Sequence, residues 1–239
     1  VTGSIVSPGL RARVRDLATP IATALGAVGL TPNALTMIGF FGTAVAAIAA
    51  VYQQWVAAGV LLIVFGIFDL FDGALARATD RVTKLGAFLD STFDRWGEGL
   101  VYVGIAWGCV EAGFTNGAVL AAAAMAAAFM VSYTRAKAES LGYAAGNGLA
   151  AVGLAPREVR LVILALGLIA AGIAGGVGPD TVLICPANVG GCVDVHAFGE
   201  GIPGGGNGIL GPTLGIIAVL ATITTIQRIL HVRAQAKEG

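Results

Sequence analysis

The chain of 239 residues is 56% hydrophobic and 12% charged, with a formal net charge of zero. Its mean hydropathy is +0.85. A soluble domain carries roughly 25% charged residues, so this composition excludes an ordinary soluble domain and points to a membrane protein, and no nucleic-acid partner is expected.

The opening residues, VTGSIVSPGL, lack a basic stretch followed by an apolar core, so no cleavable signal peptide is expected. Over residues 8–27, Leu10, Val14, Leu17, Ile21 and Leu25 recur at intervals of four, three, four and four, which makes one apolar helical face. Arg11, Arg15 and Asp16 lie off that face. The pattern predicts an amphipathic helix lying in the membrane interface, with its arginines at anionic headgroups. GLTPNALT then breaks the chain; Thr31 is a candidate cap and Pro32 suits a first helical turn.

Six apolar stretches long enough to span a bilayer, at about 20 residues per crossing, lie near 34–53, 56–77, 84–110, 117–138, 158–176 and 209–230. The expected fold is all-α: a single integral-membrane domain, with the interfacial helix at 8–27 and a bundle of six transmembrane helices over 34–230. In the fourth stretch, AAAAMAAAF (121–129) offers small side chains for close helix approach, inside the bundle or on a homodimer face. The connection 177–208 is rich in Gly and Pro and is not expected to form regular structure. Cys185 and Cys192 share it, and an oxidising compartment would permit their disulfide. Cys109 lies in an apolar stretch and reads as inert packing.

With these spans, 54–55, 111–116 and 177–208 lie on one side of the membrane and contain no Lys or Arg. All fourteen basic residues fall on the other: Arg11, Arg13, Arg15, Arg77, Arg81, Lys84, Arg95, Arg135, Lys137, Arg157, Arg160, Arg228, Arg233 and Lys237. Basic residues accumulate on the cytoplasmic side. Both termini are therefore expected in the cytoplasm, in a multi-pass protein of a bacterial plasma membrane.

Against this apolar background, DLFDGALARATDRVTKLGAFLDSTFD (69–94) concentrates charge. Asp69 and Asp72 are three apart, Asp90 and Asp94 four apart, so each pair projects from one face of a helix. If the second span runs inward and the third outward, both pairs meet at the inner end. Carboxylates in lipid turn inward and require a counter-charge. One or two divalent cations would supply it, and hard oxygen ligands select Mg²⁺, Mn²⁺ or Ca²⁺. The alternative is a set of ion pairs with Arg77, Arg81 and Arg95. Gly73, Ala76 and Gly86 leave space beside the acids, and the Arg77 guanidinium suits phosphate oxygens. Metal, arginine and clearance together describe a pocket for a pyrophosphate.

The pattern Asp69-x2-Asp72-Gly73-x2-Ala76-Arg77-x8-Gly86-x3-Asp90-x3-Asp94 resembles the signature of the CDP-alcohol phosphotransferases at every defined position. The resemblance implies their six-span architecture and their reaction, in which CMP is displaced from a CDP-linked alcohol by an acceptor hydroxyl. It further implies that Asp69, Asp72, Asp90 and Asp94 hold Mg²⁺ or Mn²⁺, as two ions, and that Asp94 also deprotonates the acceptor. Gly73, Ala76 and Arg77 would contact the CDP-diacylglycerol, with Asn33, Ala34, Leu35, Thr36 and Thr83 bordering its nucleotide.

Beyond the signature, Arg135, Lys137, Arg157, Arg160 and Arg228 all fall at inner helix ends. They read either as topological anchors or as the grip on an anionic acceptor such as a phosphorylated polyol. SYTRAKAE (132–139), PREVRL (156–161) and TTIQR (224–228) resemble segments of the actinobacterial phosphatidylinositol phosphate synthases. That resemblance implies inositol phosphate as acceptor. Arg135 and Pro156 depart from the usual Lys and Glu, which keeps glycerol phosphate as the competitor. A divalent-cation transporter is the rival class, because intramembrane acids mark ion paths. It would need charge across the whole membrane, yet AVAAIAAVY, VAAGVLLIVFG and LVILALGLIAAGIAGG contain no Asp, Glu, His, Lys or Arg.

Overall fold

A computed structural model of the protein describes residues 8–143, 153–184, 193–196 and 205–238. Its elements in chain order are α1 (Pro8–Ala27), α2 (Pro32–Val51), α3 (Trp55–Ala78), α4 (Lys84–Glu111), α5 (Thr115–Ser140), α6 (Arg157–Ile173), β1 (Thr181–Ile184), β2 (Val193–His196) and α7 (Asn207–Glu238). The six expected apolar stretches each become one helix, α2 to α7. By length and composition, α2, α3, α5 and Asn207–Lys237 of α7 can cross a membrane. The other two differ for local reasons: α4 carries Asp90, Asp94, Arg95 and Glu98, and α6 has 17 residues.

The helix starts follow the polar residues beside them. Thr31 Oγ1 accepts a hydrogen bond from Ala34 N at 3.2 Å, with Pro32 in the first turn of α2. Thr83 Oγ1 does the same for Gly86 N at 2.9 Å at the start of α4. Each supplies an acceptor to a backbone donor that the helix itself leaves unpaired.

The helices α2 to α7 pack in a ring: α2 on α3, α3 on α6, α6 on α7, α7 on α5, α5 on α4, and α4 back on α2. Ala46, Ile105, Ala121, Leu164 and Leu214 are fully buried in the core between them. Small residues permit this packing. A Cβ on Gly104 or Gly108 of α4 would collide with the backbone of Ala47 or Ala50 of α2. Ala121, Ala124 and Ala128 of the alanine-rich stretch are likewise fully buried, as close packing within the bundle requires.

Helix α1 has the expected limits and also packs against α3. Ala18 and Ala22 are buried against Leu75 and Ala74 of α3, together with Leu35, in a second small core. Leu17 and Ile21 of the anticipated apolar face remain exposed. The side chains of Leu10, Arg11, Val14, Arg15 and Asp16 lie outside the described residues.

The 177–208 connection corrects an expectation, because it contains regular structure. β1 and β2 pair antiparallel, with Thr181 opposite His196 and Ile184 opposite Val193. The connection is also tied down. Asn207 is buried and exchanges hydrogen bonds with both the N–H and the C=O of Gly178, at 3.0 and 2.9 Å. Asp180 N donates to Gly113 O at 3.1 Å, and its carboxylate accepts from Asn116 N at 3.2 Å. Backbone groups need such partners wherever they leave a helix, and glycine-rich composition does not reveal them. Cys185 and Cys192 lie outside the described residues, so their pairing does too.

Candidate active site

The site lies where the last turns of α3 meet the first turns of α4 and α6. Asp69 and Asp72 come from α3, Asp90 and Asp94 from α4. Asp69, Asp72 and Asp90 each offer a carboxylate oxygen, and these lie within 4.8 Å of one another. Three acids this close repel unless a cation joins them, and an all-oxygen donor set suits a hard divalent ion such as Mg²⁺ or Mn²⁺. The carboxylates are also positioned. Thr36 Oγ1 of α2 donates to Asp72 Oδ2 at 2.6 Å, and Asp72 is 5% exposed.

Asp94 is arranged differently. Its Oδ1 is 2.8 Å from Arg157 Nη1, and its Oδ2 is 3.6 Å from Arg95 Nη1. The same Arg157 nitrogen lies 2.5 Å from Asp69 Oδ2. Of the three arginines weighed as ion-pair partners from the sequence, Arg95 therefore pairs with an acid, while the principal cation is Arg157, from a different helix.

These groups open into a cavity of about 410 Å³, within the range of sites for small organic ligands. Asp69, Asp72, Asp90 and Asp94 line it with Gly73 and Arg77. Arg135, Arg157, Arg160 and Arg228 line the same cavity. Lys137, expected with them, is exposed and is not part of this lining. Arg135 donates through Nε to Glu139 at 2.8 Å, one turn along α5. Arg228 is buried, and its Nη1 donates to the carbonyl of Val131.

Arg160 has the most complete set of partners. Its Nε and Nη2 form a two-pronged pair with Glu98, at 3.0 and 2.9 Å, and its Nη1 donates to Ala155 O at 2.9 Å. Both residues are 1% exposed. Glu98 is not singled out by the sequence reading, although it continues the interval of four from Asp90 and Asp94 along α4, which is the available signal.

The residues expected around a nucleotide fall into two groups. Asn33, Thr83 and Gly86 converge: a Cβ on Gly86 would lie 3.0 Å from Thr83 Oγ1 and 3.4 Å from Asn33 Oδ1. Arg77 folds back over Gly73, where a Cβ would lie 3.3 Å from its Nη1. Ala34 and Ala76 are half-buried beside these groups. Leu35, in contrast, is fully buried in the small core under α1, where its side chain packs rather than facing the cavity.

Residues 29–190 match the family described as CDP-alcohol phosphatidyltransferase. The chain belongs to that family. It is 34% identical over 233 residues to phosphatidylinositol phosphate synthase of Streptomyces avermitilis, covering 96% of this chain and 83% of that protein. It is 39% identical over 155 residues to archaetidylinositol phosphate synthase of Pyrococcus horikoshii, covering 65% of this chain and 78% of that protein. The fold resembles the crystal structure of Mycobacterium tuberculosis phosphatidylinositol phosphate synthase with CDP-DAG bound, with a TM-score of 0.69, 26% identity, and coverage of 91% of this chain and 94% of that one. A structure of the same enzyme in complex with manganese and citrate matches with a TM-score of 0.69 and 27% identity, over 90% of this chain and 88% of that one.

Proposed function

We propose that this phosphatidyltransferase moves the phosphatidyl group of CDP-diacylglycerol to a hydroxyl of a phosphorylated polyol, inositol phosphate, and releases CMP. The observation that carries the reading is one cavity lined by three converging carboxylates, Asp94 and four arginines. The names of the relatives support the lipid donor and the inositol phosphate acceptor.

Asp69, Asp72 and Asp90 would hold Mg²⁺ or Mn²⁺, with Asp94 joining them in the loaded site. Bound there, the ions neutralise charge on the pyrophosphate and on the departing CMP. Arg77, lying over Gly73, contacts a phosphate of the donor, while Asn33 and Thr83 border the nucleotide. Asp94 accepts the proton of the acceptor hydroxyl as its oxygen bonds to phosphorus and the bond to CMP breaks. Arg135, Arg157 and Arg228 face the acceptor phosphate, and Arg160 is held beside them by Glu98. The group of arginines favours an anionic acceptor over a neutral alcohol.

All six helices α2 to α7 cross the membrane in this reading, α1 lies in the interface, and the cavity opens to the cytoplasm. Cysteines placed within 177–208, after replacement of Cys185 and Cys192, would then react with an impermeant thiol reagent from outside intact cells. Cysteines within 140–156 would not, and the reverse pattern overturns the topology.

The deciding assay measures CMP release by purified protein with CDP-diacylglycerol, Mg²⁺ or Mn²⁺, and either inositol phosphate, glycerol phosphate or free inositol. Inositol phosphate should give the highest rate. Equal turnover of free inositol would remove the acceptor role of the arginines; no CMP release with any alcohol would remove the reaction.

A further inference from the structure

Arg157 stands at the first residue of α6, and one of its nitrogens serves two acids. Nη1 lies 2.5 Å from Asp69 and 2.8 Å from Asp94. Asp69 also belongs to the three-acid group, whereas Asp94 does not. The guanidinium therefore supplies positive charge where acids from α3 and α4 face each other, and it draws Asp94 to itself. Its Nε is buried without a hydrogen-bond partner among the described residues. A buried donor left unpaired is destabilising, so this position leaves the side chain with an unmet requirement. Arg157 also lines the cavity with Arg135 and Arg228, the arginines assigned above to the acceptor phosphate.

We propose that Arg157 is an exchangeable internal counter-cation. While Asp69 and Asp94 hold it, the guanidinium is withheld from an anion in the cavity. When divalent charge at the acids replaces it, the two carboxylates no longer attract it and the cation repels it. Its fork then turns to the anion, where both Nη groups and Nε find acceptors. Divalent cation and acceptor anion consequently bind with positive coupling through one side chain. Coupling of this kind is reciprocal, so the anion tightens the cation site as much as the cation tightens the anion site. The proposal rests on the acceptor reading only for the identity of the anion.

The test is Mn²⁺ binding, followed by electron paramagnetic resonance of the free ion, to the purified full chain without CDP-diacylglycerol. The titration is run alone, with inositol phosphate and with inorganic phosphate. Saturating inositol phosphate should tighten Mn²⁺ binding by about fivefold or more, the lower end of typical coupling factors. Arg157→Gln should bind Mn²⁺ alone at least as tightly as the parent, because a competing cation is gone, and should lose the coupling. Arg157→Lys, which keeps the charge without the fork, should compete with Mn²⁺ yet show reduced coupling, and it serves as the variant if Arg157→Gln does not fold. Tenfold weaker Mn²⁺ binding in both variants would overturn the proposal, since the arginine would then be orienting the acids. Absence of coupling in the parent with either anion would overturn it as well. If inorganic phosphate couples and inositol phosphate does not bind, the exchange stands and the acceptor reading falls.

Discussion

At the mouth of the bundle three aspartates converge beside a cavity, whereas one turn beyond Asp94 on α4 Glu98 meets Arg160 in a closed pair. The first region holds surplus charge of one sign near open space. The second has matched charge, two-pronged geometry and almost no exposure. Their difference separates two reasons for placing charge inside an apolar bundle. A matched, fully hydrogen-bonded pair is compatible with the folded state and holds Arg160 in one orientation. An acid cluster that Arg157 only partly matches opposes folding, as a site that binds a cation would.

The contrast breaks most sharply under neutralisation. Asp90→Asn should lower CMP release by at least about a thousandfold, beyond the ten- to hundredfold that follows loss of an outer-shell partner. The same change should leave the thermal midpoint without metal unchanged or higher, because a like-charge repulsion is gone. Activity within tenfold of the parent would show that the acids are not the metal site.

Glu98→Ala should behave in the opposite way. It strands Arg160, and breaking a buried pair by removing one partner costs about 3–5 kcal/mol. Thermal unfolding in detergent or nanodiscs should show a large fall. The double change Glu98→Leu with Arg160→Met should recover most of that stability while leaving the acceptor KM raised. An unaltered midpoint in Glu98→Ala would mean the pair is solvated and the comparison fails.

Thr36→Val probes the boundary between the two kinds of charge, since Thr36 orients Asp72 through a 2.6 Å hydrogen bond. Mn²⁺ affinity should fall by about tenfold, and Thr36→Ser should restore it. Equal affinities in all three proteins would assign Thr36 to packing alone.

The smallest effect on turnover is expected at the opposite end of the bundle. Asn207→Ala leaves both polar groups of Gly178 without their side-chain partner, which should cost about 1–3 kcal/mol. The kcat/KM of the folded fraction should stay within twofold of the parent. A larger loss would show that the 177–208 connection communicates with the cavity.

Much of this was readable along the chain, because hydropathy runs and helical spacing are local properties. The stretches 34–53, 56–77 and 84–110 fall within two residues of the ends of α2, α3 and α4. The intervals of three and four that place Asp69 with Asp72, and Asp90 with Asp94, needed only the pitch of a helix. Thr31 and Pro32 announced the start of α2 by the same local chemistry. The partners of the charges were not readable. Arg157 meets Asp69 across 88 positions and Arg160 meets Glu98 across 62, so those pairs depend on how each helix is rotated and which neighbour it adopts. Nor could sequence decide that Leu35 and Ala18 are buried while Leu17 and Ile21 are exposed. In a soluble protein polarity marks the outward face, but lipid is as apolar as the core. Only the packing of helix on helix determined which apolar residues became the interior and which arginines reached the acids.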